Sequence, residues 1–323
     1  MGKVLYHAVS SYQLLEVMLH RMLRHPRERA VLILPDFIKE KYPQYQKLKR
    51  KKFFDEVYLF PYLAIPHDSE EAIAMRVKKY YEKMIPHDIR GFCRVYVAGA
   101  HFYFTLYLLE KKISFCFFED GAGMASRPGQ LWEDLAKQYP LHAAIAKKRG
   151  LFDGSNPQVE KIICLKRAQT VEVNQEKYLD FSVEKELEGL NGKDRKKIIG
   201  FFIGHRIWTR AQGILLTQNF SGLGVMSPGE QISLYKNLAE DFLSHVPLII
   251  KKHPDDPLDY RGIFPRTKVI RTVFPSELLP YVFFRKPKTV YAFNSTGCEN
   301  LKDHFRIRQL DNGKKQKEGE DHG

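Results

Sequence analysis

The amino-acid sequence predicts an α/β protein with two successive doubly wound domains, each built on a parallel sheet with helices on both faces. Short apolar runs alternate with amphipathic segments along nearly the whole chain, and this alternation is typical of parallel sheets. The pattern lapses in a polar, charge-rich stretch near the middle and then restarts. With 323 residues, 44% of them hydrophobic, the chain is long enough for two packed cores.

The first half alternates strands and helices from its beginning. Residues 3–9 are predicted to form a strand, and Ser10 is predicted to cap a helix over residues 12–23, where apolar side chains recur about every 3.6 residues. The further strands predicted for this half are 30–34, 54–60, 94–98, 113–118 and 159–165. The further helical segments are 38–52, 69–85, 102–109 and 131–148.

The second half repeats the pattern after a weakly patterned stretch at 166–195, where we place the domain boundary. The predicted domains are therefore 1–190 and 191–312, followed by a charged tail at 313–323. The strands predicted for the second domain are 197–204, 247–252, 268–270, 289–293 and 305–310. Ser227 is predicted to cap a helix that runs to residue 243, and Pro275 to open a short one.

Charge and cysteine content limit the classes of function. Lys and Arg outnumber Asp and Glu by 52 to 38, which favours a polyanionic partner such as nucleic acid, an anionic membrane or a phosphorylated substrate. The basic residues are dispersed, which argues against nucleic acid. The four cysteines have no C-x-x-C spacing, and no run of about 18 apolar residues occurs. We therefore expect a cytoplasmic protein whose membrane contact, if any, is peripheral.

Two adjacent acids follow the predicted strand 113–118. Glu119 and Asp120 are followed by Gly121 and Gly123, which are expected to let the backbone turn sharply. Ligands of open α/β sheets bind at the carboxyl ends of the strands, so a carboxylate there is a candidate general base. The pattern does not decide which acid is the base. The structural alternative is an ordinary Asp-Gly turn in which both acids are solvated.

Polar residues also follow two predicted strands of the second domain. His253 follows strand 247–252, and Pro254 restricts it to an extended conformation. Ser295, Thr296 and Gly297 follow strand 289–293, where hydroxyls and free backbone N–H groups at a helix start suit an anion. A solvated histidine and an ordinary helix cap are the structural alternatives.

The second domain offers a few weaker candidates. Glu277 lies in the first turn of a predicted helix, where it either contacts ribose hydroxyls or complements the helix dipole. Gly204 ends the predicted strand 197–204. Asp255 and Asp256 are expected to be a solvated loop rather than metal ligands, because no third ligand is near in sequence.

These motifs resemble those of a known enzyme group. The order Glu119-Asp120-Gly121, His253-Pro254 and Ser295-Thr296 resembles the D/E-D/E-G, H-P and S/T motifs of bacterial sialyltransferases with a GT-B fold. Residues 10–15, Ser-Ser-Tyr-Gln-Leu-Leu, are similar to the start of family 52 glycosyltransferases, which include lipooligosaccharide sialyltransferases. The third motif has Ser-Thr where the family has paired serines. The resemblance extends to about residue 310.

The resemblance implies a GT-B fold, in which two Rossmann-like domains face each other across a cleft, with the acceptor on the first domain and the nucleotide sugar on the second. It implies inverting transfer of sialic acid from CMP-sialic acid to a bacterial surface glycan, without metal or other cofactor. Asp120, assisted by Glu119, is then the base. The donor-site residues are then His253, Pro254, Ser295, Thr296, Gly297, Glu277 and Gly204.

Three questions stay open at this stage. Family 52 also contains members that transfer neutral sugars, so CMP-Kdo or a UDP-hexose is the alternative donor. A basic nucleic-acid-binding protein is the alternative from a different class. Association into a homodimer is undecided.

Overall fold

The computed structural model describes residues 2–66, 68–100, 103–121, 123–165, 174–293 and 298–310. The chain divides into two compact units, residues 1–197 and residues 198–323, which we name unit 1 and unit 2. Each unit contains one parallel sheet with helices connecting its strands. The predicted α/β class with two parallel sheets is confirmed.

Unit 1 contains a seven-stranded sheet. Its strands are β1 (Lys3–His7), β2 (Arg29–Pro35), β3 (Glu56–Phe60), β4 (Arg94–Ala98), β5 (Phe115–Phe118), β6 (Val159–Cys164) and β7 (Tyr178–Asp180). They pair in parallel in the order β3-β2-β1-β4-β5-β6-β7. Strand order reverses between β1 and β4, so the connections after these two strands diverge and leave a crevice at the carboxyl edge.

Three of the described helices of unit 1 begin at a capping serine. The helices are α1 (Ser11–Arg24), α2 (Ile38–Lys41), α3 (Lys47–Arg50), α4 (Glu70–Met84), α5 (Tyr103–Glu110), α6 (Pro128–Gln138), α7 (Pro140–Lys148) and α8 (Val183–Gly189). The three with a capping serine are α1, α4 and α8; Ser10 caps α1 and Ser69 caps α4, as predicted. The single helix predicted for 131–148 is two helices, because Pro140 disfavours a helical conformation at Tyr139 (φ −133°, ψ 67°).

Unit 2 has the same plan on a smaller scale. Its strands are β8 (Gly213–Leu216), β9 (Leu248–Lys251), β10 (Lys268–Ile270), β11 (Thr289–Ala292) and β12 (Arg306–Gln309), all parallel in the order β10-β9-β8-β11-β12. Its helices are α10 (Pro228–Phe242), α11 (Tyr260–Ile263) and α12 (Leu279–Val282), while α9 (Gly192–Phe202) crosses the boundary between the units. Ser227 and Glu230 form a capping box at the start of α10.

The prediction of a strand at residues 197–204 is wrong, because these residues belong mainly to helix α9. The buried side chains of α9, Ile198, Ile199, Phe201 and Phe202, are spaced as on one face of a helix. Asn191 caps the helix, since its Oδ1 accepts from the Asp194 N–H at 2.9 Å. The strand that begins the sheet of unit 2 is instead β8, which the sequence pattern did not reveal.

Each unit packs its own core around its sheet. The core of unit 1 includes Leu5, Val97 and Phe117, and that of unit 2 includes Leu215 and Ile250; all five are less than 5% exposed. Over the part of the chain that the structure describes, no helix combines the length and hydropathy needed to cross a bilayer.

Candidate active site

Glu119 follows β5 and is a structural carboxylate. It is 2% exposed, its Oε1 accepts from the Leu165 N–H at 2.7 Å, and its Oε2 accepts from the Ala125 N–H at 3.1 Å. Burial raises the pKa of Glu119, and these backbone donors partly oppose the rise. Both carboxylate oxygens therefore hold the chain that leaves β5 and β6.

Asp120 is placed differently from its neighbour. It is partly buried, and its Oδ1 accepts from the Gln13 Nε2 amide at 2.5 Å. Burial raises the pKa of Asp120 from 3.8 to about 6, although the Gln13 amide favours the charged form and lowers it. A carboxylate with this pKa is ionised at neutral pH and is a stronger base than an ordinary aspartate, as general-base catalysis requires.

Gln13 connects Asp120 to the start of helix α1. Its Oε1 accepts from the backbone N–H groups of Val9 and Ser10 at 2.8 and 2.9 Å, and the Ser10 Oγ accepts from the Gln13 N–H at 3.2 Å. This is a capping box with glutamine at its third position. The side chain is fully buried. The Ser-x-x-Gln spacing was the sequence signal for it, but that spacing does not reveal the contact with Asp120.

Tyr62, which belongs to a cluster of aromatic rings, lies near Asp120. The pKa of Tyr62 is raised well above its ordinary value by burial, then by the nearby Tyr103 and Asp120. The Tyr62 and Tyr103 ring centroids are 5.2 Å apart, and Tyr103 stacks on His142 at 4.2 Å with an interplanar angle of 22°. The charge of Asp120 therefore opposes ionisation of Tyr62, and Tyr62 connects the carboxylate to the Tyr103–His142 stack.

The turn after the acids depends on Gly123 rather than on Gly121. Gly123 has φ of 78°, a left-handed conformation that non-glycine residues rarely adopt. Gly121 does not have positive φ, and a Cβ added there would meet the Met124 side chain at an ordinary 3.5 Å. Both glycines belong to the turn, because the Met124 N–H donates to the Gly121 carbonyl at 2.9 Å, but only Gly123 uses the conformational freedom of glycine.

His253 is oriented by the turn that follows β9. Its backbone N–H donates to the Thr217 Oγ1 at 3.2 Å, and its ring Nδ1 accepts from the Asp255 N–H at 3.1 Å. Because Nδ1 accepts, the proton of the neutral ring is on Nε2. The Asp256 N–H also donates to the His253 carbonyl at 3.2 Å, so the His253-Pro254 turn is closed by hydrogen bonds.

Asp256 is buried, and the prediction that it belongs to a solvated loop was wrong. It is 3% exposed; its Oδ2 accepts from the Thr217 hydroxyl at 2.9 Å, and its Oδ1 accepts from the Leu258 N–H at 3.1 Å. Oδ1 also lies 3.3 Å from the Gln231 Nε2. Asp255, by contrast, is exposed. Thr217, which also receives the His253 N–H, links the buried carboxylate to the histidine.

Glu277 and Lys251 are buried side chains of opposite charge, and each affects the pKa of the other. Glu277 lies in the short 3₁₀ turn Ser276–Leu278 and is 7% exposed; burial raises its pKa, while Asn300 and the Lys251 charge lower it. Lys251 is the last residue of β9, and its Nζ lies 4.6 Å from the centroid of the Phe274 ring. Burial lowers the pKa of Lys251 to about 8, and Glu277 opposes this shift.

The predicted residues of unit 2 fall into three groups. His253, Pro254 and Glu277 lie beyond the carboxyl ends of the neighbouring strands β9 and β10. Ser295, Thr296 and Gly297 lie outside the described residues. Gly204 follows helix α9 in a left-handed conformation (φ 80°) and leads toward the amino end of β8, so it is not at a strand end.

The acidic side chains do not gather into a metal centre within the described ranges. Among those residues, no group of three or more His, Cys, Asp or Glu side chains could hold a metal ion. The two adjacent acid pairs are accounted for by the contacts given above.

Sequence comparison finds one weakly similar protein. No protein-family model matches the chain. An uncharacterised protein of Haemophilus influenzae is 27% identical over 211 residues, which are 64% of this chain and 66% of that protein. The match thus spans slightly less than two thirds of the relative's length.

Structure comparison finds proteins of the same fold. A Photobacterium phosphoreum α/β-galactoside α-2,3-sialyltransferase has a TM-score of 0.55 at 13% identity, covering 95% of this chain and 90% of that one. Arabidopsis thaliana UGT89C1 complexed with UDP has a TM-score of 0.54 at 10% identity, covering 95% and 79%. Methanocaldococcus jannaschii UDP-GlcNAc 2-epimerase has a TM-score of 0.51 at 14% identity, covering 95% and 83%. At such low identity these likenesses show the fold alone, and it is the predicted GT-B fold.

Proposed function

We propose that this chain is an inverting, metal-independent glycosyltransferase that moves sialic acid from CMP-sialic acid to a hydroxyl of a bacterial surface glycan. The observation that carries the proposal is the environment of Asp120, a carboxylate at a strand end with a pKa near 6. The GT-B fold and the three sequence motifs support the same reaction class. The donor sugar rests on the motifs.

Asp120 is the base in the proposed reaction. It takes the proton of the acceptor hydroxyl while the hydroxyl oxygen bonds to the anomeric carbon of the sugar. The bond from that carbon to the phosphate oxygen breaks, and CMP leaves with the electron pair. Direct displacement inverts the anomeric centre. Proton transfer of this kind contributes typically about 10²- to 10⁴-fold to the rate.

Glu119 acts through structure rather than chemistry. Both of its oxygens accept backbone N–H groups and the side chain is 2% exposed, so an acceptor hydroxyl does not reach it. We therefore assign the base to Asp120 alone. Gln13 is its positioning residue, because the Gln13 amide fixes one carboxylate oxygen.

His253 is proposed to donate a hydrogen bond from Nε2 to the leaving phosphate. The backbone contact at Nδ1 favours this tautomer without requiring a charged ring. Ser295, Thr296 and Gly297 are proposed to bind further phosphate oxygens, as the motif resemblance implies. Glu277 is proposed to bind the ribose hydroxyls, with Lys251 favouring its charged form.

A UDP-sugar donor is the second candidate. Structures with bound UDP reach nearly the same TM-score as the sialyltransferase structure, so the fold does not discriminate between donors. The reaction and the base would be unchanged.

Nucleotide binding tests the donor class directly. We would titrate CMP, CDP, UMP and UDP into the full chain by isothermal calorimetry in the presence of EDTA. The proposal expects CMP to bind most tightly without metal. Tightest binding of UDP would select the second candidate, and failure of every nucleotide to bind would overturn both.

Three variants assign the roles of the residues. Asp120→Ala should retain CMP binding and lose transfer, since the base does not contact the nucleotide. His253→Ala should weaken both. His245→Ala is the matched control, because His245 is exposed and precedes β9 rather than following it. An Asp120→Ala protein that transfers sialic acid at the normal rate would rule out the proposed base.

A further inference from the structure

Two exposed aromatic side chains stand on backbone segments of unit 2 that are paired with each other. Trp208 is 61% exposed and Phe284 is 66% exposed. The residues before them, Ile207 and Phe283, form a parallel bridge, in which the Ile207 N–H donates to the Val282 carbonyl at 2.7 Å and the Phe284 N–H donates to the Ile207 carbonyl at 3.1 Å. Large aromatic side chains paired at the surface usually mark a binding site.

Two basic side chains lie close to Trp208. The Arg210 guanidinium lies 5.3 Å from the centroid of the Trp208 ring, and the Lys268 Nζ donates to the Trp208 carbonyl at 2.9 Å. The two segments that carry the aromatics, 204–212 and 283–288, contain five Arg or Lys and no Asp or Glu. We name as the basic aromatic surface the residues Arg206, Trp208, Arg210, Lys268, Phe284, Arg285 and Lys286.

The basic aromatic surface lies at the amino edge of the sheet of unit 2. Segment 204–212 enters β8, segment 283–288 enters β11, and Lys268 is the first residue of β10. His253 and Glu277 follow the carboxyl ends of β9 and β10, at the other end of the parallel strands. Occupation of the amino edge therefore leaves the proposed nucleotide residues of this unit uncovered.

We infer that the basic aromatic surface binds an anionic lipid bilayer. Tryptophan and phenylalanine side chains insert at the level of the lipid headgroups, and neighbouring arginine and lysine side chains are attracted by anionic lipid. The inference is independent of the reaction proposed above, because it needs no nucleotide or sugar. It also gives a local role to part of the +14 net charge of the chain.

Two other occupants fit the surface less well. A base of single-stranded nucleic acid stacks on an open ring face, and Arg210 leaves Trp208 only one such face. A second copy of this surface would bring arginines and lysines against each other, which opposes self-association. A bilayer requires neither an open ring face nor an acidic counterpart on a protein.

Tryptophan fluorescence tests the inference, because the chain contains only Trp132 and Trp208. Trp132 lies in unit 1, partly buried, with the Lys147 Nζ 3.4 Å from its ring centroid. The Trp132→Phe variant reports on Trp208 alone, and the Trp208→Phe variant is the matched control. We would add vesicles of phosphatidylglycerol and phosphatidylcholine in equal parts, with and without a quencher attached to the acyl chain.

The inference expects a blue shift and quenching in Trp132→Phe with these vesicles, none with pure phosphatidylcholine, and none in the control variant. Replacing Arg206, Arg210 and Arg285 by serine in the Trp132→Phe variant should weaken vesicle binding on the order of 10²-fold, about fivefold per residue. Replacing the exposed Lys79, Lys83 and Lys137 instead should leave binding within about threefold.

Other results would overturn the inference. The absence of a shift with anionic vesicles, or an equal shift in both tryptophan variants, removes this surface as the lipid site. A shift with single-stranded RNA but not with vesicles assigns the surface to nucleic acid. A shift that grows with protein concentration in the absence of vesicles assigns it to a second copy of the chain.

Discussion

Each unit carries a pair of adjacent acids beyond a strand, and the two pairs use their members in opposite order. In unit 1 the first acid, Glu119, is the buried hydrogen-bond acceptor, and the second, Asp120, is the proposed base. In unit 2 the first acid, Asp255, is exposed, and the second, Asp256, is the buried acceptor. In both pairs one carboxylate holds the loop that carries a proposed catalytic group, which is Asp120 in unit 1 and His253 in unit 2.

The difference lies in what each buried acid supports. Glu119 joins the chain after β5 to the chain after β6, and so fixes the backbone on which Asp120 stands. Asp256 receives the Thr217 hydroxyl, and Thr217 in turn receives the backbone N–H of His253. In each pair one acid supports the loop, Glu119 in unit 1 and Asp256 in unit 2, and it is the acid that the hydrogen-bond donors surround.

The largest expected effect separates the members of the first pair. Asp120→Asn should lower kcat by about 10²- to 10⁴-fold, because the base is lost. It should also raise the free energy of unfolding at pH 7 by about 2 kcal/mol, a value discounted for partial exposure. The pKa of Asp120 in the folded protein, about 6, lies above its ordinary value of 3.8. The wild-type protein therefore loses stability as the pH rises between these two values, whereas the Asp120→Asn protein does not. Transfer assays and urea unfolding at several pH values measure both effects.

Glu119→Gln is the matched variant, and it should lower the free energy of unfolding while largely retaining activity. Its amide places N–H groups against a backbone N–H donor, at a cost of about 1 to 3 kcal/mol in the free energy of unfolding. The folded fraction should retain transfer within about tenfold of wild type. If Glu119→Gln were stable and inactive, the roles assigned to the two acids would have to be exchanged.

The second pair is compared by stability. Asp256→Asn should lower the free energy of unfolding by about 3 kcal/mol, because a buried carboxylate with several donors is replaced by a group that accepts fewer hydrogen bonds. Asp255→Asn should change it by less than about 0.5 kcal/mol, since that side chain is exposed. Urea unfolding of the two variants measures the contrast, and equal values would contradict the assignment of Asp256 as the support.

A change at Gln13 refines the description of the first pair. Gln13→Glu retains the oxygen that caps α1 but replaces the amide donor at Asp120 by a second carboxylate. Both changes favour the protonated form of Asp120 and raise its pKa, so the acidic limb of the pH–rate profile should move to higher pH. Gln130→Glu, a change at an exposed residue, is the control. An unmoved acidic limb in Gln13→Glu would show that another group limits the rate at low pH.

The smallest expected effect concerns the turn that follows the first pair. Gly123→Ala should cost about 1 kcal/mol in the free energy of unfolding, because alanine is strained at φ of 78°. Gly121→Ala should be close to neutral, since a Cβ fits there. Thermal unfolding resolves the difference, and equal melting temperatures for the two variants would contradict the conformational argument.

Much of the fold could be predicted from local signals. Ser227 and Glu230 mark the start of α10, and the alternation of apolar runs predicted six of the seven parallel strands of unit 1. The seventh, β7, lies in the stretch 166–195 that was described as weakly patterned. The errors occur where the local pattern is ambiguous. The apolar run in α9 is too short to distinguish strand from helix by composition. The four residues of β8, Gly213–Leu216, lack polar alternation because the strand is buried on both faces.

The site could be predicted only in part, for a physical reason. Polar residues that directly follow a predicted strand can be recognised in a sequence, so Asp120 and His253 could be selected as site candidates. The contacts that tune them come from residues distant in sequence: Gln13 lies 107 residues before Asp120, and Thr217 lies 36 residues before His253. Nothing in the local sequence distinguishes the buried Asp256 from its exposed neighbour.

The amide of Gln13 also ties heat inactivation to one turn of helix. The same side chain closes the first turn of α1 and holds Asp120, so fraying of that turn releases the base. Helix ends open at lower free energy than strands in a buried sheet. We therefore expect heating to abolish the proposed transfer activity at a temperature no higher than that at which the two sheets unfold.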